Sequence, residues 1–221
     1  MSRLVLGILV LILASCQSAP AAQATPQAPL KVAVSPSLIW LESDLAACAA
    51  SVGTAVQRAD DDPAAPGVIA LQLGEPDDGR FAAVLGREQM VVIVHPDNLQ
   101  PDLTREDALA IFSGRLKSWP DGAEILAWSL PVSSDTHAAM LAAGFSFAGT
   151  GLAANPQAML QAVSSDPAAI GYLPARWVDT SVRALEITGM PVVVPILAVS
   201  AQEPQGIARA LLVCLQEKTG Q

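Results

Sequence analysis

Histidine occurs twice in this chain, tyrosine once and cysteine three times. Two histidines far apart in sequence, His95 and His137, are too few to build a metal centre of three or four converging ligands. Three cysteines exclude a small scaffold held together by several disulfides. Positive charge is scarce as well: 12 Lys and Arg stand against 21 Asp and Glu, a net charge of −9. Nucleic-acid binding needs clustered bases, and so does peripheral docking on anionic lipid. Both are excluded as partners. No P-loop, dinucleotide fingerprint or internal repeat is present, and no cofactor is implied. Beyond the first sixteen residues no apolar run reaches the ~20 residues of a membrane-spanning helix. What is abundant is apolar surface. Over 221 residues, 52% are hydrophobic, which is enough for one large core or two smaller ones.

The N-terminus carries the first positive signal. Arg3 supplies a charge, Leu4 to Leu13 an apolar run, and Leu13-Ala14-Ser15-Cys16 a small-residue ending. Charge, apolar core and small residues in that order make a secretion signal. The ending in cysteine resembles the lipobox of bacterial lipoproteins. The resemblance implies cleavage before Cys16, lipid on Cys16, and an extracytoplasmic body anchored to a membrane through that lipid. A plain signal cut near Ala21-Ala22, or an uncleaved anchor, are the alternatives. Residues Gln17 to Pro29 hold no charge, no large side chain and three prolines. Such a segment cannot bury enough surface to order itself, so residues 16–29 read as a tether.

With Cys16 assigned to lipid, Cys48 and Cys214 remain. Each lies on an apolar helical stripe: Leu41, Leu45, Cys48, Val52 and Ile207, Leu211, Cys214, Leu215. A disulfide between them suits an oxidising compartment. Two buried thiols that never meet are the alternative.

Along the body, strand and helix patterns alternate, which points to an α/β architecture. Leu30–Val34, Val68–Leu73, Gln89–Val94, Glu124–Trp128, Ala169–Leu173 and Arg183–Ile187 read as strands. Gln89–Val94 is continuously apolar and suits a parallel strand buried on both faces. Met190–Val199 is broken by Pro191 and Pro195 and predicts an edge or irregular strand. Helices are predicted over Leu41–Val52, Thr104–Phe112, His137–Ala143, from Pro156, and from Pro204 to Gln216. Thr104 and Asn155 are placed to cap, and Gly114 to end a helix in a left-handed conformation. Thr54–Pro66 and Gln100–Asp102 read as surface loops.

The stretch Met90–Trp119 (MVVIVHPDNLQPDLTREDALAIFSGRLKSW) resembles the central region of the phosphate-type substrate-binding proteins of ABC transporters. The matching pieces are His95-Pro96, Asn98, Leu103-Thr104, Ile111-Phe112-Ser113-Gly114 and Trp119, with Ala169-Ile170-Gly171-Tyr172 later. The resemblance implies a type-2 periplasmic binding protein fold: two α/β lobes, mainly parallel sheets flanked by helices, and ligand in the cleft. Lobe one would hold residues 30–94 and 180–221, lobe two residues 95–179, with a hinge near residues 94 and 180. It would place Cys48 and Cys214 in one lobe. It also implies a monomer that captures a small ligand, phosphate or another oxyanion, for an ABC permease.

Cleft anions are held by N–H groups at helix starts and by hydroxyls. Two loops offer these groups, Ser35-Pro36-Ser37 and Ser133-Ser134-Asp135-Thr136. The second matches the family's Ser-Gly-Thr turn with two departures. Asp135 stands at the glycine, and Trp128–Val132 holds no arginine. A buried phosphate normally needs a guanidinium or several donors, and Asp135 would repel it unless it accepted a phosphate proton. The candidate ligand-binding residues are therefore Ser35, Ser37, Ser134, Asp135 and Thr136, with Gly74 and Tyr172 as weaker candidates. An ordinary helix cap is the competing reading of Ser134–Thr136. Trp40 could stack on a ligand or pack in the core.

An enzyme is disfavoured. Gly144-Phe145-Ser146-Phe147-Ala148-Gly149 approaches a nucleophile elbow, but its last glycine comes one residue late and no histidine follows Ser146. Beside the transport reading stands a binding-fold lipoprotein used as a sensor or interaction module.

Overall fold

A computed structural model describes residues 28–59, 65–76, 79–189 and 191–220. The secretion signal, Cys16 and the tether up to residue 27 lie outside the described residues.

The body opens with β1 (Leu30–Val34), a 3₁₀ turn (Pro36–Leu41) and α1 (Glu42–Ser51), then β2 (Val56–Arg58) and β3 (Val68–Leu73). A long β4 (Phe81–Val94) leads to β5 (Leu103–Thr104), α2 (Arg105–Phe112), β6 (Leu126–Ser129) and α3 (Asp135–Ala142). There follow β7 (Gly151–Leu152), α4 (Pro156–Ser164) and β8 (Ala169–Pro174). A second 3₁₀ turn (Ala175–Trp177), β9 (Arg183–Leu185), β10 (Ile187–Thr188), β11 (Val192–Ser200) and α5 (Gly206–Thr219) complete it.

The main sheet runs β2-β1-β3-β11-β4-β8-β6-β7, with β9 also on β4. Its flanks are parallel, β2-β1-β3 on one side and β8-β6-β7 on the other. Its middle is antiparallel, where β4 and β11 cross from one half to the other. Within Gln89–Val94, Met90 and Val92–Val94 are buried while Gln89 is exposed, and the run is antiparallel rather than parallel because it is the end of a crossing strand. Met90 marks the change of partner, opposite Val192 of β11 and Pro174 of β8.

The structure departs from the sequence pattern at three other places. β11 is a central strand, between β3 and β4, although Pro195 lies within it. The Pro195 carbonyl accepts the Gly74 N–H at 3.0 Å. Its nitrogen, on the same side, faces the place where β3 has already ended. The register also slips between Ile196 and Leu197, the kind of irregularity that admits proline inside a sheet. The surface-loop reading of Thr54–Pro66 missed β2, a three-residue edge strand with little apolar pattern. The first half of β4 was also unforeseen, since FAAVLGRE holds small and charged residues that alternate poorly.

Local signals hold where the side chain itself does the work. Thr104 Oγ1 accepts the Asp107 N–H at 3.1 Å, and Asn155 Oδ1 accepts the Ala158 N–H at 2.9 Å. Gly114 has φ +71°. Gly171 in β8 lies under α4, and a Cβ there would overlap the Met159 sulfur. The absent side chain lets the helix settle on the strand. Cys48 and Cys214 form a disulfide, Cα atoms 5.7 Å apart, that ties α1 to α5 across 166 residues of sequence. Phe112, Phe145, Phe147 and Tyr172 form an aromatic cluster in which Phe112 meets the other three edge-on, with Phe112 and Tyr172 centroids 5.7 Å apart. Two members of the Gly144–Gly149 motif serve this cluster, and Ser146 is exposed between them.

Candidate functional site

A cavity of about 410 Å³ opens between the two flanks of the sheet. One wall is the end of β1 and the turn after it, Val34-Ser35-Pro36, beside Leu71-Gln72 of β3. The opposite wall is Pro131 and Ser133-Ser134-Asp135 at the start of α3, with Ala154-Asn155-Pro156 at the start of α4. The size suits a small solute. The polar lining is neutral apart from Asp135, and among the described residues no Lys or Arg lines it.

Asp135 spans the two walls. Its Oδ1 accepts Ser37 Oγ–H at 2.6 Å and Thr136 N–H at 2.7 Å. Its Oδ2 accepts Leu73 N–H at 2.9 Å. The strand geometry explains the last bond. β1 ends at Val34, and the Ser35 carbonyl turns to accept Leu38 N–H at 2.9 Å. That leaves the next ladder donor of β3, Leu73 N–H, facing the cleft, where Asp135 takes it. Since Ser37 gives its single hydroxyl proton to Asp135, the 2.5 Å contact between Ser37 and Thr136 has Thr136 Oγ1 as donor. Ser37 is 1% exposed and Thr136 0%. Trp177 Nε1 also crosses, donating to the Ser37 carbonyl at 2.8 Å.

The candidate residues therefore separate. Ser35, Ser134 and Asp135 line the cavity, although Ser35 Oγ also accepts Ser37 N–H at 3.2 Å. Ser37 and Thr136 lie behind the wall, engaged with Asp135. Gly74, with φ +78°, ends β3 and gives its N–H to Pro195, outside the lining. Tyr172 is fully buried. Its hydroxyl accepts Leu130 N–H at 3.0 Å and meets His137 Nδ1 at 2.9 Å. Burial raises the Tyr172 pKa above its ordinary range and lowers that of His137 below 6.5. Tyr172 and His137 are thus paired in the core as neutral groups. Gln72 and Asn155 join the lining from outside the two candidate loops, and Ser133 joins it from within the second. Asn155 was legible as a helix cap, and nothing in its sequence context placed that helix start beside Ser134.

Trp40 packs against Arg176, whose guanidinium lies 4.3 Å from the ring centroid. Arg176 Nε is 3.5 Å from Oε2 of Glu88, a residue only 3% exposed on β4. Burial raises the Glu88 pKa, while backbone N–H groups and the Arg176 charge act the other way. No group of three metal-ligating side chains is found among the described residues.

No family model matches the chain, and no curated protein matches it. Solved structures do. A Clostridium perfringens protein described as a phosphate ABC transporter substrate-binding protein, with bound phosphate, superimposes with TM-score 0.73 at 17% identity, covering 85% of this chain and 93% of that one. An ABC-type phosphate transport receptor from Vibrio cholerae gives 0.64 at 15% identity, covering 85% and 93%. The regulatory domain of OxyR from Pseudomonas aeruginosa gives 0.62 at 14% identity, covering 88% and 100%. The fold is that of the two-lobed type-2 periplasmic binding proteins, an α/β architecture that transport receptors and regulatory domains share.

Proposed function

We propose that this chain is an extracytoplasmic solute-binding lipoprotein that captures a small solute in its cleft and delivers it to an ABC permease. The observation that carries the reading is the 410 Å³ cavity between strand ends on one side and the starts of α3 and α4 on the other. This is where α/β folds place their ligands. The secretion signal and the lipobox-like Cys16 support a lipid-anchored position beside a membrane. Neighbours that share the fold and are described as transport receptors support the permease partner.

The lobes we assign as residues 30–94 with 180–221, and residues 95–179. The hinge we place near residues 94 and 180, where the chain passes from one lobe to the other. Phosphate as the cargo lacks support in the cleft: Ser37 and Thr136 are already bonded to Asp135, and among the described residues no cationic side chain lines the cavity.

The OxyR likeness supports a second reading, a sensor or interaction module without transport. Cross-linking in cells followed by purification separates the two. Recovery of permease subunits with the chain supports transport, and recovery of other envelope proteins alone supports the module.

A further inference from the structure

We infer that the Asp135 carboxylate is the protein's own occupant of an oxyanion position in the cleft, and that it sets the solute specificity against phosphate and sulfate. The inference rests on the solute-binding reading and narrows its ligand class.

Three donors from three separate segments converge on this one side chain: Ser37 Oγ, Leu73 N and Thr136 N, at 2.6, 2.9 and 2.7 Å. Two of them come from the opposite wall of the cleft, 98 and 62 residues away in sequence. Hydroxyl and backbone N–H donors aimed at one point from several segments make an anion-binding arrangement. Here the anion is covalently part of the chain. A free oxyanion seeking the same donors meets a filled position, and the fixed negative charge repels it. Among the described residues no guanidinium or ammonium in the lining offsets that repulsion. The open space beside Asp135 presents neutral groups, Ser35, Gln72, Ser133, Ser134 and Asn155, together with the carboxylate's own edge. The solute that fits is a small polar molecule, uncharged or cationic.

Removing the carboxylate leaves the three donors around a vacated anion-sized position. The test is titration calorimetry of inorganic phosphate and sulfate into the mature protein and its Asp135→Gly and Asp135→Ala variants. Circular dichroism and cooperative unfolding check that each variant is folded, and the alanine variant serves if glycine weakens the start of α3. The expected result is at least tenfold tighter phosphate binding in a folded variant than in the parent. A parent that binds phosphate as tightly as the variants overturns the inference, and so do folded variants that gain nothing.

A parallel thermal screen of the parent with neutral and cationic solutes tests the solute-binding reading separately. Phosphate binding gained by a variant, with no solute for the parent, upholds the Asp135 inference and counts against the reading. A solute found for the parent, with no gain in either variant, does the reverse.

Discussion

Ser37 Oγ lies 2.6 Å from Asp135 Oδ1, and this bond joins the turn after the first strand to the start of α3 across the cleft. Ser37 is buried, so the hydroxyl has no ready exchange with water. A hydrogen bond to a charged group contributes about 1.5–3 kcal/mol. Ser37→Ala should lower stability by about that amount, measured by urea unfolding. A change within error would mean that the bond across the cleft holds nothing together.

The Cys48–Cys214 disulfide closes a loop of 166 residues in sequence separation. Chain-entropy arguments put the stabilisation from so long a loop at about 5 kcal/mol, and measured disulfides typically give ~2–4 kcal/mol. The double variant Cys48→Ala/Cys214→Ala should lose about 2–5 kcal/mol and melt well below the parent. Mass spectrometry of unreduced peptides should recover the two cysteines linked.

Gly171→Ala forces a methyl group into the Met159 sulfur and against Val163. Overpacking of this kind costs about 1–3 kcal/mol. The loss should be read as a lower urea midpoint with an unchanged slope. The cavity lies elsewhere, so solute affinity should be retained.

Glu88 gives a pH signature. Burial raises its folded-state pKa above the ordinary 4.5. From pH 4.5 up to that raised value, the folded chain holds a proton that the unfolded chain has released. Stability from this group therefore falls as pH rises through the window and levels off above it. Glu88→Gln removes the titration. The variant should gain on the parent as pH rises from 4.5 and keep a constant lead at higher pH. An equal pH dependence in parent and variant would contradict the assignment.

The parts of the fold legible in sequence were those decided locally. Thr104, Asn155 and Gly114 announce helix ends through their own side chains or backbone freedom, and they sit where expected. The helical stripes through Cys48 and Cys214 placed both sulfurs on buried helix faces. What escaped the sequence depends on distant partners. Pro195 looked like an edge residue because the end of β3 beside it is set by tertiary register. The cleft was half legible: Ser35 and Asp135 could be pointed to, but not that Asp135 would take the Ser37 hydroxyl and the N–H that β1 leaves free on Leu73. Tyr172 was a reasonable polar candidate on a strand, yet its hydroxyl points to Leu130 and His137 within the core.

The central claim is that the cleft beside Asp135 binds a small solute, and thermal unfolding of the mature protein tests it most directly. The panel would contain phosphate, sulfate, molybdate, amino acids, polyamines and sugars. A solute at about 100 times its dissociation constant adds about 2.7 kcal/mol to the folded state. The account predicts a clear rise in melting temperature with a neutral or cationic member of the panel, and none with the oxyanions. A rise with phosphate alone, or no rise with any member, would contradict it.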